Sequence, residues 1–421
     1  MFMFRANLLD PIMFRVGIAA GLRSKFMSGK AIGLMVTASH NPEEDNGIKI
    51  IDPMGEMMDS SWESWITELV NLKDDEGALM KFVEDFVKIN SIDLETQAVV
   101  LVGRDTRESS IKLAESAMDG VKVMSGKITD FGLLTTPQLH FLVRCSNDPS
   151  YGVATEFSYY YKLSQAFLSL NCDGSDPKGS KYQPSIVLDC ANGVGSVKMT
   201  QMMGFINAHL DVTLFNSGEG TLNHNCGADF VKLYREKPSG MELKQGQRAA
   251  SFDGDADRLV YYFIDDSFQL LDGDKIALLY VYYLKQLLAE SELEEKLSLR
   301  MIQTAYANGS STRYYEQELG VKTDCVPTGV KHLHSRAKDY DISVYFEANG
   351  HGTILFSDKA TEMISSIANE EVDGNGDGDG AESGGAKGGG AKSDGAKIGE
   401  AGKKLSFIIN LVNQVGLHQI S

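Results

Sequence analysis

The chain of 421 residues predicts an α/β fold made of successive, related strand–helix units with mixed sheets. Three observations carry that reading. Short apolar runs such as Ile32-Gly33-Leu34-Met35-Val36, Val99-Val100-Leu101-Val102 and Ser185-Ile186-Val187-Leu188-Asp189 have the length and content of buried strands. Segments with apolar residues near the 3.6 period stand between them. Each run ends in a polar or glycine-containing loop, where α/β proteins keep reactive groups.

Taken in order, residues 8–26 read as a helix with Leu8, Ile12, Val16 and Ala20 on one face. After the strand to Val36, Pro42 and Asn46-Gly47 should break regular structure. Residues 60–72 read as a helix with Trp62, Trp65, Ile66 and Leu69 on one face. The strand at 99–102 leads into Gly103-Arg104-Asp105, and residues 109–118 look helical. Asp148-Pro149-Ser150 marks a turn. Residues 171–184 are polar and read as a surface loop, after which the pattern restarts at Ser185 and turns into a helix at Asn192-Gly193-Val194-Gly195. The run 276–288 is too short for a membrane span and reads as a buried core helix. Residues 342–346 are an apolar strand. These elements divide the chain into three units, 1–157, 158–272 and 273–421. Within the third, residues 373–402 are low in complexity and should form a flexible insert, because glycine, alanine, lysine and aspartate in this mixture bury no core. A calcium loop starting at Asp373 fails, since position 384 is glycine. Residues 405–412 are again helix-like.

With 40 basic and 58 acidic residues the formal net charge is −18, which argues against nucleic acid or an anionic membrane as partner. The apolar start Met1-Phe2-Met3-Phe4 is interrupted by Arg5 and lacks a signal-peptide core. Five cysteines, at 145, 172, 190, 226 and 325, are odd in number and show no metal-binding spacing. They fit reduced thiols in the cytoplasm.

Two loops carry chemistry. Thr37-Ala38-Ser39-His40-Asn41-Pro42 offers a serine at a strand end. Asp253-Gly254-Asp255-Ala256-Asp257-Arg258 places three aspartates at i, i+2 and i+4, on one face of an extended segment. Three hard oxygen donors leave room for a phosphate oxygen and water, which suits magnesium. An EF-hand is excluded, because Arg258 replaces the sixth-position glycine and Ile264 stands at the twelfth position. Together the loops indicate phosphoryl transfer assisted by a divalent metal. A phosphorylated substrate needs local positive charge, and Lys49, Arg104, Arg107, Arg258 and Lys331 could supply it. Arg104 and Arg107 could also pin their loop through Asp105. His40 could hydrogen-bond near the serine, or be an inert loop histidine.

Both loops resemble those of the α-D-phosphohexomutase superfamily. Four further segments follow the family's order: Asp52-Pro53-Met54-Gly55-Glu56-Met57, Val102-Gly103-Arg104-Asp105-Thr106-Arg107, Leu222-Asn223-His224-Asn225-Cys226-Gly227-Ala228-Asp229 and Phe346-Glu347-Ala348-Asn349-Gly350-His351-Gly352-Thr353. Asn349, where the wider family has serine, resembles the N-acetylglucosamine branch. The resemblance implies that Ser39 carries the phosphoryl group and that Asp253, Asp255 and Asp257, completed by phosphorylated Ser39, hold one magnesium ion. It places Lys49 in the site, assisting proton transfer, against the alternative of a solvated lysine on a strand edge. It assigns the sugar to Glu347, Asn349 and His351 and to the loop Thr328-Gly329-Val330-Lys331, with Arg258 balancing phosphate charge. The implied reaction interconverts N-acetylglucosamine 6-phosphate and 1-phosphate through a sugar bisphosphate, in a monomer, on the route to the UDP-activated sugar. Phe4-Arg5 stands where the family's opening strand brings an arginine to the site. The family's closing R-P-S-G-T-E-like loop, in a fourth domain, has no counterpart in the chain. That leads to an expectation of weak turnover, with a non-catalytic phosphosugar- and magnesium-binding protein as the alternative. A mutase for another hexose phosphate is the other alternative.

Overall fold

The computed structural model describes residues 2–73, 75–171, 183–373 and 391–415. They fall into two compact units that divide after Leu270. The first unit carries two sheets. Strands β1 (Phe2–Arg5), β2 (Ala31–Val36), β3 (Asp45–Ile51), β4 (Val99–Arg104) and β5 (Lys127–Leu133) lie in the order β1-β3-β2-β4-β5. Strands β6 (Ser185–Asp189), β7 (Asp211–Phe215), β8 (Arg248–Phe252), β9 (Leu259–Ile264) and β10 (Phe268–Leu271) lie in the order β10-β9-β8-β6-β7. The second unit has β11 (Leu299–Thr304), β12 (Thr323–Val326), β13 (Ile342–Phe346) and β14 (Gly352–Phe356) in the order β12-β11-β13-β14.

One pattern repeats in all three sheets. Three neighbouring strands run parallel (β5-β4-β2, β7-β6-β8 and β12-β11-β13), and the third pairs antiparallel with the strand that follows it in the chain (β3, β9 and β14). The connection after that third strand is the serine loop in the first sheet, the aspartate loop in the second and the Glu347–His351 loop in the third. The repeat therefore presents each candidate segment at the same topological place.

Burial explains why the strands read as unbroken apolar runs. On one face of the first sheet, Ile32, Leu34, Val36, Val100 and Val102 pack with Met13, Val16 and Leu22 of helix Asp10–Phe26 and with Leu113, Ala117 and Val121 of helix Ser109–Val123. On the other, Met35, Ile51 and Leu101 pack with Leu139, Leu142 and Val143 of helix Thr136–Asn147. A parallel sheet covered on both sides has no polar face to alternate with. Helix Thr136–Asn147 begins with a reciprocal cap between Thr135 and Gln138 and Pro137 in its first turn.

Several expectations change. Asn46-Gly47 lies inside β3, which starts at Asp45. Asn46 is fully buried and donates to Ser109 and Ser110 at 2.8 and 3.0 Å, and pairing with β1, with the Thr37 N–H donating to the Gly47 carbonyl at 3.0 Å on the other side, overrides the local turn preference. Residues 60–72 begin with a 3-10 turn and continue as helix Glu63–Val70, and helix Glu76–Ile89 was not anticipated. The helix over 276–288 is Gly273–Glu290, and only one face is buried, since Leu279 and Tyr282 are exposed. The expected boundary after 157 falls within helix Glu156–Asn171. Most of the expected loop at 171–184 lies outside the described residues.

The low-complexity segment is corrected over residues 391–402. Helix Ala391–Val415 covers residues 391–402, and Ala401 is buried with Leu405, Ile409 and Val412 in the core of the second unit. Small residues here are packing surface: a Cβ on Gly402 would stand 2.6 Å from Ile367 Cγ2. Composition alone hid an apolar stripe that starts with alanine and glycine. Residues 374–390 lie outside the described residues.

Candidate active site

Ser39 follows β2 in a left-handed conformation, φ +52°, which is uncommon for a residue with a side chain. Such strain persists where neighbours over-determine it. The Ser39 N–H donates to Thr37 Oγ1 at 2.9 Å. Its carbonyl accepts from Arg107 Nη2 at 3.2 Å and from Asn223 Nδ2 at 2.9 Å. Arg107 is buried and ion-paired with buried Asp105, which also accepts from the Thr37 hydroxyl at 2.7 Å. Arg107 thus pins the loop, the second of its two readings.

The aspartate loop between β8 and β9 meets the serine loop backbone to backbone. A Cβ on Gly254 would come within 2.6 Å of the Ser39 carbonyl oxygen, so only glycine fits there. The Ser39 hydroxyl donates to Asp253 Oδ2 at 2.6 Å. Asp253 Oδ1 accepts the N–H groups of Asp257 and Arg258 at 3.2 and 3.3 Å, which shapes the loop. Asp255 Oδ2 accepts from Thr136 Oγ1 at 2.6 Å and from Lys49 Nζ at 2.8 Å, and Lys49 also donates to Asp257 Oδ2 at 2.6 Å. Lys49 sits on β3, flanked by β1 and β2, so the strand-edge alternative is corrected: its side chain is buried.

Ligand oxygens of the three buried aspartates lie within 4.8 Å of one another. Burial, then the charges of Asp257 and Asp255, push the Asp253 carboxyl well above the usual carboxylate range. Burial alone would lower the Lys49 ammonium, but Asp255 and Asp257 outweigh it and hold the group protonated, well above a normal lysine. With Asp229, which shares Arg258, the carboxylates here outnumber the two cations, Lys49 and Arg258. Asp255 Oδ1 is buried without a hydrogen-bond partner. An orphaned oxygen in a buried, convergent, oxygen-only donor set with excess negative charge fits a magnesium ion.

Other predicted residues take different places. His40 Nε2 lies 3.4 Å from Asp229 Oδ2 rather than at the Ser39 hydroxyl. Burial and the nearby Arg258 charge lower the pKa of its imidazole. Arg258 Nη1 pairs with Asp229 at 2.8 Å and its Nε lies 3.8 Å from Asp253. Arg5 pairs on the surface with Glu44 and Asp45. In the second unit, buried Glu347 accepts from Gly329 N–H at 3.2 Å and from Asn349 Nδ2 at 3.3 Å, while Asn349 Oδ1 accepts the His351 N–H at 3.1 Å. The fold thus brings the Gly329 and Glu347–His351 segments together. His351 is buried, Thr328 is exposed and Lys331 is half-buried. Sequence reasoning gave no role to Thr136, Asn223 or Asp229. The last two stand in the quoted segment 222–229, and Thr136 follows the helix-capping Thr135.

Three repeated mixed sheets with a serine loop seated on a carboxylate triad define the class: an α/β phosphohexomutase, a phosphoryl-transferring isomerase. Family models match at residues 272–377, "Phosphoacetylglucosamine mutase AMG1, domain III", and at 23–77 and 73–155, "Phosphoglucomutase/phosphomannomutase, alpha/beta/alpha domain I". The phosphoacetylglucosamine mutase of Homo sapiens is 50% identical over 88% of this chain and 68% of its own length, and that of Sus scrofa 49% over 89% and 69%. A crystal structure of N-acetylglucosamine-phosphate mutase in the apo form superposes with a TM-score of 0.82 at 37% identity, covering 100% of this chain and 88% of that one. The Aspergillus fumigatus enzyme in complex with GlcNAc-6P and magnesium superposes at 0.80 and 37%, covering 99% and 76%. The chain belongs to the phosphoacetylglucosamine mutase family.

Proposed function

We propose that this chain interconverts N-acetylglucosamine 6-phosphate and N-acetylglucosamine 1-phosphate through phosphorylated Ser39 and a sugar bisphosphate. The observation that carries the reading is the 2.6 Å hydrogen bond from Ser39 Oγ to Asp253, inside the triad. A related A. fumigatus structure holds glucose 1,6-bisphosphate, which supports a bisphosphate as intermediate and activator.

Phosphorylated Ser39 donates to the free sugar hydroxyl. The phosphorus–Oγ bond breaks as the bond to the sugar oxygen forms, the proton that the sugar hydroxyl loses passes to Ser39 Oγ, and the restored Ser39 hydroxyl donates to Asp253 Oδ2. The reoriented bisphosphate returns its other phosphoryl group to Ser39. Lys49, held protonated by Asp255 and Asp257, supplies positive charge beside the triad. Arg258 adds positive charge beside the triad. Glu347 and Asn349, braced by Gly329 and by each other, grip sugar hydroxyls, with Thr328, Lys331 and His351 beside them. Asp253, Asp255 and Asp257 would hold one magnesium ion per chain, which would supply positive charge to the phosphoryl oxygens. Cys145, Cys190, Cys226 and Cys325 are free thiols, which supports a reducing cytoplasm. No described helix is long and apolar enough to cross a membrane.

The test is phosphate incorporation from glucose 1,6-bisphosphate, read by intact mass. The native chain should gain one phosphoryl group and Ser39→Ala none. Equal incorporation in both would remove Ser39 as carrier.

A further inference from the structure

The segment Leu222–Asp229 marks the family but has no role in the reaction as described above. Its asparagine is placed to have one. Asn223 belongs to the part of the first unit that carries the aspartate loop, yet both hydrogens of its side-chain amide leave for the serine loop. Nδ2 donates to the Ser39 carbonyl at 2.9 Å and to the Asn41 carbonyl at 3.0 Å. Arg107 Nη2 reaches the same two carbonyls, at 3.2 and 2.8 Å. The two oxygens on either side of His40 are therefore clamped twice, by Arg107 from beyond β4 and by Asn223 from beyond β7. Asn223 itself holds φ +57°, a conformation asparagine tolerates better than most residues, and its N–H donates to the Ala191 carbonyl at 2.9 Å. The amide is thus aimed by its own backbone. A Cβ on Gly254 would also come within 3.0 Å of Asn223 Nδ2, so amide, serine loop and aspartate loop converge at one point.

We propose that Asn223 is a positioning residue for phosphoryl transfer: its amide holds the serine loop in register with the aspartate loop, so that Ser39 Oγ meets Asp253. This rests on Ser39 being the phosphoryl carrier. The reason is geometric. Arg107 ties the serine loop to its own sheet, and its bonds would survive a shift of that sheet against the next. Among the side-chain contacts to these two carbonyls, the Asn223 bonds are those that cross from the aspartate-loop side. Transfer rates fall steeply when reacting groups are misplaced by about 1 Å. Magnesium ligation, set by Asp253, Asp255 and Asp257, stays intact when the amide is removed.

Two variants separate backbone from side chain. Asn223→Gly accepts φ +57° and deletes the amide. Asn223→Asp keeps the shape and turns a carboxylate toward two carbonyl oxygens. In single-turnover phosphorylation by glucose 1,6-bisphosphate with magnesium, both should slow Ser39 labelling at least tenfold, Asn223→Asp more than Asn223→Gly. Magnesium affinity by calorimetry should stay within about twofold in Asn223→Gly, whose substitution adds no charge beside the triad. In the metal-free chain, hydrogen exchange in the peptide covering residues 37–42 should speed up in both. If the native chain is not labelled, the carrier assignment fails. If it is labelled and the variants match it, the positioning role fails. A raised KM for sugar phosphate with unchanged kcat would make Asn223 a substrate contact and overturn the inference. Loss of folding in both variants would overturn it too, by making Asn223 structural.

Discussion

Replacing Asp255 by asparagine changes one charge at constant size in the middle of the triad, and the structure dictates how the new side chain must sit. Asp255 Oδ2 receives two donors, Thr136 Oγ1 at 2.6 Å and Lys49 Nζ at 2.8 Å. An amide nitrogen cannot accept from either, so the amide oxygen takes that place. The NH2 group then occupies the position of Oδ1, the buried oxygen without a partner. The metal would lose a charged oxygen ligand and face a hydrogen-bond donor instead. Loss of one hydrogen-bonded charged contact is worth about 1.5–3 kcal/mol, which at 1.4 kcal/mol per decade is roughly 10- to 150-fold in Kd. The metal-free fold should not suffer. Asp253 is relieved of one like charge, while Lys49 keeps Asp257 at 2.6 Å. The assay is magnesium titration by calorimetry, with thermal melts of both proteins with and without the ion. Expected are similar melting temperatures without magnesium, a smaller magnesium-induced rise in the variant, and the weaker Kd. Unchanged affinity would show that Asp255 is not a ligand. A collapse of metal-free stability would show that its charge is needed by the fold rather than by the ion.

Further outcomes follow from the packing and the electrostatics. Leu405→Ala, in the helix that begins inside the low-complexity segment, removes a fully buried side chain and should cost about 2–5 kcal/mol, visible as a lower melting temperature; no change would mean the helix is not docked. Burial pushes the Cys145 thiol up to about 11 and the Cys190 and Cys226 thiols up to about 12, so at pH 8 each is less than about 1% thiolate. Raising the pH toward 11 in the folded chain should therefore speed their alkylation. Exposed Cys325 should react far faster than these three with iodoacetamide at pH 8, as peptide mapping would show, and equal labelling would contradict the burial. Glu347→Gln should raise the KM for sugar phosphate about tenfold, the loss of one charged contact, while leaving magnesium affinity unchanged. An unaltered KM would take Glu347 out of the sugar site.

The sequence alone determined four of the buried strands, the two reactive loops and the family resemblance. Residues 32–36, 185–189 and 342–346 read as strands because both faces of each sheet are covered, which leaves a local, unbroken apolar signal. The aspartate spacing read as a metal loop, but the expected extended segment is corrected: Ala256 takes φ +55° and its N–H closes a turn on the Asp253 carbonyl at 3.1 Å, so a turn rather than strand alternation brings the three carboxylates together. What sequence could not decide were relations between distant segments. Whether Lys49 was a solvated edge residue or a buried cation depended on β1 and β2 flanking β3, and on Asp255 and Asp257 arriving from about 200 residues away. Whether Arg107 met phosphate or pinned the serine loop depended on the carbonyls of Ser39 and Asn41 turning toward it. Residues 391–402 looked coreless because their composition is that of a linker, yet alanine and glycine also let two helices approach closely, and only a partner helix shows which holds. Asn223 gave no chemical signal, since an amide acquires a role only from the two carbonyls that tertiary folding sets in front of it.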